Sequence, residues 1–143
     1  MKIGILAVQG DFEAHAAMLA GLGAETLEVR TVRDLDGCDA LILPGGESTT
    51  QLQFLQEEGL YDAIKQFAAD GGAIFGTCAG AILLATEVKS PAQASLGLLD
   101  MTVLRNAYGR QLASDVFFGS SKLTDSPMEM VFIRAPVIDT VGP

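Results

Sequence analysis

Gly76-Thr77-Cys78-Ala79-Gly80 places a thiol among very small neighbours, after a short apolar run and before a helix-like one. Gly-x-Cys-x-Gly is the pattern of a nucleophile elbow with cysteine in place of serine. Such a sharp strand-to-helix turn holds its nucleophile in a strained backbone conformation, so residues two positions away must be small. The first N–H groups of the following helix favour thiolate over thiol. The amide of Ala79 would point to where an oxyanion forms. A second reading is equally open on the pentapeptide alone: a small structural cysteine in a glycine-rich strand end.

Pro44-Gly45-Gly46-Glu47-Ser48-Thr49 is another glycine turn entering a helix. Without side chains, Gly45 and Gly46 let backbone amides approach a ligand closely, which suits a second oxyanion donor. The same residues also read as a plain turn and helix cap. The Gly-Lys-Ser/Thr ending of a phosphate-cradling loop is absent. Arg105, Arg110 and Arg134 are candidates to hold a substrate carboxylate in bidentate fashion, or are surface charges. His15 is the single histidine and reads as a surface or packing residue. Cys38 lies between Gly37 and Asp39, and its acidic neighbours predict a raised pKa and a poor nucleophile.

The elements that would position these turns follow from apolar patterning. Ile3 to Val8 is a continuous apolar run that fits a strand buried on both faces. Phe12 to Leu22 has helical spacing, with Ala14, Met18 and Leu22 as the stripe and Gly23 as the stop. Thr26 to Val29 and Ala40 to Leu43 read as strands. Ser48 or Thr49 is predicted to cap a helix through Leu52 and Leu55. Leu60 to Ala69 reads as a helix, Ala73 to Phe75 as a strand, and Ala79 to Ala85 as a helix. Beyond Lys89 the texture turns to strands, over Leu98 to Leu104, Asp115 to Phe118 and Met130 to Ile133. Alternating strand and helix imply parallel pairing with helices on both faces. Ligand sites of open α/β sheets lie at the carboxyl ends of strands. The turns at Gln9-Gly10, Pro44 to Ser48, and Gly76 to Gly80 all fall there.

At 143 residues and 49% hydrophobic, the chain suits a single domain with a real core. Nine Lys and Arg against 18 Asp and Glu give a net charge of -9, which argues against a nucleic-acid partner. Two cysteines without metal spacing predict a reduced, cytoplasmic protein with no metal site, and no cofactor is expected. The first apolar run is too short for a signal peptide or a bilayer span, so no membrane association is expected.

Six blocks together resemble one family, the glutaminase subunits of pyridoxal 5'-phosphate synthase, within the class I glutamine amidotransferases. They are Val8-Gln9-Gly10, Pro44 to Thr50, Phe75 to Gly80, Leu96 to Leu99, Arg105 to Gln111, and Phe132 to Pro136. The resemblance implies an open three-layer α/β sandwich with a mostly parallel, flavodoxin-like central sheet. It implies hydrolysis of glutamine to glutamate and ammonia, with the ammonia passed to a barrel-shaped synthase subunit. By the family pattern Cys78 matches the nucleophile, and Gly46 and Ala79 match the oxyanion hole. Gly46, Glu47, Ser48, Arg105, Ile133 and Arg134 match glutamine-contacting positions. Gln9 and Gly10 match a turn bordering the active site and the partner.

The family completes its triad with a His-Pro-Glu block, which residues 1–143 do not contain. The expectation is therefore a domain incomplete at its C-terminus, with the His–Glu pair beyond residue 143 and the 143 residues alone inactive. A synthase-binding subunit without catalysis is the alternative, and a different elbow-cysteine hydrolase is a lesser one.

Overall fold

The protein is known from a computed structural model, described here over residues 1–107, 115–132 and 136–143. Strands β1 (Lys2–Leu6), β2 (Glu25–Val29), β3 (Ala40–Leu43) and β4 (Ala73–Gly76) form a fully parallel sheet in the order β2-β1-β3-β4. Helix α1 (Phe12–Gly21) joins β1 to β2, and a short 3-10 turn (Val32–Leu35) precedes β3. Helices α2 (Ser48–Glu57) and α3 (Leu60–Ala69) lead to β4, and α4 (Ala79–Leu84) follows it.

Two-residue alternation sorts the sheet's side chains onto two faces. Ile3, Ile5 and Ile42 pack with Phe12, Ala16 and Leu19 of α1. Leu6, Leu41 and Leu43 join Leu52 and Leu55 of α2, Leu60 and Ile64 of α3, and Leu83 of α4 in the larger core. Helices therefore cover both faces of a parallel sheet, the three-layer arrangement anticipated from the order of elements.

Past α4 the chain forms β5 (Ala85–Lys89) and β6 (Leu99–Leu104), which pair in parallel, with β9 (Val137–Val141) antiparallel to β6. Strands β7 (Asp115–Ser121) and β8 (Thr124–Phe132) make a separate antiparallel pair. The change to β structure after Lys89 was anticipated, but β5 and β9 were not. Ala85 was expected to end α4 and instead opens β5.

Two local expectations are corrected. The stripe Ala14, Met18, Leu22 is not the packed side of α1: Met18 is 69% and Leu22 75% exposed. The helix is apolar nearly all round, so no single stripe stands out in the sequence, and the sheet selects Phe12, Ala16 and Leu19. Glu47, rather than Ser48 or Thr49, caps α2, because its carboxylate accepts from Thr49 N at 3.2 Å. Ser48 is the first helical residue and is buried.

Candidate active site

Order β2-β1-β3-β4 reverses direction between β1 and β3, and in open α/β sheets a crevice opens outside the strands' carboxyl ends at such a reversal. The turns after β1, β3 and β4 converge there. Asp11 N donates to Gly45 O at 3.0 Å, joining the first turn to the second. A Cβ placed on Gly45 would lie 3.4 Å from Cys78 Cβ, so the second turn also abuts the third.

Cys78 sits at the N-cap of α4 with φ 47° and ψ -104°, a left-handed conformation that costs a non-glycine residue energy. The surrounding bonds hold it there. Thr77 N donates to Leu43 O at 3.0 Å, Gly80 N to Thr77 O at 2.8 Å, and Ile82 N to Cys78 O at 3.1 Å. Both flanking glycines are required by contact. A Cβ on Gly80 would collide with the carbonyl of Leu43, and one on Gly76 would lie 2.7 Å from the carbonyl of Gly80. The thiol itself is exposed. A buried structural cysteine does not describe this residue; a strained, accessible thiol at a strand-to-helix turn does.

The second turn is held by side chains from two directions. Gln9 Oε1 accepts from Glu47 N at 2.9 Å. Gln51, fully buried in α2, donates from Nε2 to Gln9 O at 2.9 Å and to Pro44 O at 3.2 Å. Its Oε1 is buried and finds no partner among the described residues. Gly46, at φ 157°, leaves no room for a side chain: a Cβ there would lie 2.5 Å from Gln9 Oε1 and 2.9 Å from Gly10 Cα. Gln51 was not anticipated as part of the site. A glutamine among the apolar positions of an amphipathic helix was the available signal, since a buried amide must find carbonyls or donors to bond.

Glu47 Oε1 accepts from Thr49 Oγ1 at 2.8 Å and also faces Arg105 Nη2 at 3.2 Å. Ser48 Oγ donates to Gln93 Oε1 at 2.9 Å, bringing the polar link after β5 to the site. Gln9, Gly10, Gly46, Glu47, Ser48, Cys78, Ala79 and Arg105 are thus tied to one cluster of turns. Ile133 and Arg134, expected to contact glutamine, and Arg110 lie outside the described residues. His15 is not a free surface residue. Its Nε2 lies 3.1 Å from Thr77 Oγ1, next to the cysteine.

Cys38 is set apart from this cluster. Its Sγ donates to Asp34 O at 3.3 Å. Its thiol pKa is raised, as anticipated, but burial is the first cause, with Asp34 and Asp39 adding to it against Lys2. Among the described residues no His/Cys/Asp/Glu group has the makings of a metal site, and no helix is long and apolar enough to cross a membrane.

Sheet order and site together define a class: an open, parallel α/β protein with an accessible cysteine at a strained turn beside a double-glycine loop. Residues 5–143 match the model of the SNO glutamine amidotransferase family, and the chain belongs to that family. It is 52% identical over 148 residues to the pyridoxal 5'-phosphate synthase subunit PdxT of Deinococcus radiodurans, covering 100% of this chain and 76% of that one. It is 48% identical to PdxT of Koribacter versatilis, covering 100% of this chain and 73% of the relative. The chain therefore spans about three quarters of the length of these curated relatives. A crystal structure of a glutamine amidotransferase superposes with a TM-score of 0.89 at 45% identity, over 98% of this chain and 75% of that one. A structure described as a peptidase E protein from Listeria monocytogenes shares the fold alone, at a TM-score of 0.60 and 20% identity over 69% of this chain and 63% of that one.

Proposed function

We propose that this protein is the glutaminase subunit of a pyridoxal 5'-phosphate synthase, releasing ammonia from glutamine for a barrel-shaped synthase subunit. The observation that carries the reading is the strained, exposed Cys78 set against the Gly45-Gly46 turn. A conformation costing about 1–3 kcal/mol persists where function requires it. That strain, with the relatives' names, favours a working enzyme over a synthase-binding subunit without catalysis.

In the proposed reaction Cys78 Sγ bonds to the side-chain carbonyl carbon of glutamine, and the carbonyl π electrons move to oxygen. Backbone N–H groups at Gly46 and Ala79 stabilise that oxyanion. Collapse breaks the carbon–nitrogen bond, and the nitrogen leaves as ammonia carrying the proton taken from the thiol. Water then hydrolyses the thioester, giving glutamate and the free thiol. A base must take the thiol proton and return it to the leaving nitrogen; the His–Glu pair implied by the family resemblance fits that role. Arg105, with Arg134, is assigned to the α-carboxylate of glutamine, and Glu47, Ser48 and Ile133 to the rest of the substrate. Gln9 and Gly10 border both site and partner. Two free thiols fit a cytoplasmic location.

The test is glutamate release from glutamine by the protein mixed with its synthase subunit, against Cys78→Ala. Release that disappears in the variant, with binding to the synthase retained, is the expected result. Absence of glutamate with Cys78 intact, across synthase concentrations at which the two proteins co-purify, overturns the assignment in favour of a non-catalytic subunit.

A further inference from the structure

We propose that His15 is a positioning residue for the cysteine turn, holding Thr77 and, through it, the backbone that presents Cys78. The inference rests on the glutaminase reading and deepens it. His15 comes from α1, on one face of the parallel sheet, whereas α2, α3 and α4 pack on the other. Its helical positions relative to Phe12 and Leu19, three before and four after, put it on the sheet-facing side of α1. From there Nε2 approaches Thr77 Oγ1 to 3.1 Å, across 62 positions of sequence, in a half-buried setting.

Thr77 is then fixed at three points. Its N–H is taken by Leu43 O of β3, its carbonyl by Gly80 N of α4, and its hydroxyl by His15 of α1. The next residue is the strained one, at φ 47°. A left-handed cysteine relaxes unless its surroundings over-determine it. The two backbone ties come from β3 and α4; the His15 tie alone crosses from the opposite helical layer. It restrains the Thr77 side chain, and with it the rotation of the Thr77–Cys78 segment that would let φ return to negative values. His15 touches the residue before the thiol, so it acts through Thr77 and is not assigned a proton-transfer role.

The experiment compares the parent protein with Thr77→Val, Thr77→Ser, His15→Leu and the double variant His15→Leu/Thr77→Val. Thr77→Val keeps the branched shape and removes the hydroxyl, so it keeps the test alive if His15→Leu does not fold. Two quantities are read. One is the rate of Cys78 alkylation by iodoacetamide, resolved by peptide mass spectrometry with Cys38 as the internal control. The other is kcat and KM for glutamine in the presence of the synthase subunit.

Losing the tie is expected to lower both the alkylation rate and kcat by roughly five- to tenfold, the worth of one neutral hydrogen bond, with KM within about twofold. Thr77→Ser should stay near the parent, and the double variant should be no slower than the slower single one. A folded Thr77→Val that alkylates and turns over within about twofold of the parent overturns the proposal. So does a double variant whose loss is the product of the single losses. Alkylation that changes as expected while even the parent releases no glutamate supports the tie and overturns the glutaminase reading instead.

Discussion

Arg105 Nη2 lies 3.2 Å from Glu47 Oε1, although 58 positions of sequence separate the two residues. The arginine side chain is only 11% exposed and the glutamate 56%. The pair joins the end of β6 to the cap of α2, so a cation is held beside the double-glycine turn before any substrate arrives. A guanidinium fixed in this way can accept a substrate carboxylate with little further ordering. Arg105→Ala should raise KM for glutamine about ten- to hundredfold, in keeping with ~1.5–3 kcal/mol for a charged hydrogen bond, and should change kcat much less. Steady-state kinetics with the synthase present decide it. A fall in kcat with unchanged KM would remove the carboxylate-clamp assignment.

Strain at Cys78 predicts an inverse relation between stability and activity. Glycine adopts φ 47° without the steric cost that any side chain meets there. Cys78→Gly should therefore be more stable than Cys78→Ala, by about 1 kcal/mol after glycine's extra chain entropy is subtracted, and both should be inactive. Thermal melts of the two variants check this. If Cys78→Ala melts at the same temperature as Cys78→Gly or above it, the turn stores no strain worth naming.

Gln51 ties two turns through one amide, at 2.9 Å to Gln9 O and 3.2 Å to Pro44 O. Gln51→Leu would leave these carbonyls without that donor, a loss of about 1–3 kcal/mol. Two gains oppose it: the Oε1 that finds no partner among the described residues disappears, and apolar surface is buried in its place. The expected net effect is a destabilisation of about 1–2 kcal/mol. Gln51→Glu should be worse, because a carboxylate oxygen would then face two carbonyl oxygens. Urea unfolding at constant m-value measures both. A Gln51→Leu protein as stable as the parent would mean that the tie contributes nothing to folding.

These residues also show how far the sequence could be read. Strand β3 and helix α3 were legible to the residue, because Pro44, Gly59 and Gly71 punctuate runs of clear period. The three turns were placed correctly at strand ends, since alternation of strand and helix dictates where a parallel sheet opens. The face of α1 was not legible: a helix apolar nearly all round carries no direction, and contact with Ile3, Ile5 and Ile42 chooses it. Nor was the junction at Ala85, where a helix-favouring residue starts a strand that β6 pairs with. The ties of His15 to Thr77 and of Gln51 to Gln9 depend on distant segments meeting, and periodicity does not report such meetings.

Asp34 offers a test of the fold that is independent of catalysis. Its Oδ2 accepts from Arg30 N at 3.0 Å, Thr31 N at 2.7 Å and Thr31 Oγ1 at 3.0 Å, closing the turn that follows β2. The hydrogen bond from Arg30 N–H, then those from Thr31, hold the carboxyl below its ordinary value, with burial opposing them and the Arg30 charge adding to them. Glu87 is lowered in the same sense by the Thr102 hydroxyl and Lys89. A carboxylate whose pKa is lower folded than unfolded binds fewer protons in the native state. Its stabilising contribution is complete above the unfolded value and is lost as pH falls through the folded one. Asp34→Asn removes the ionised acceptor, so the variant should be less stable than the parent near neutral pH. The gap should close as the solution is taken below the ordinary carboxylate range, because the parent's own carboxyl is then protonated. Urea midpoints at the two pH values make the comparison. A gap of equal size at both would show that the three bonds to Asp34 do not depend on its charge.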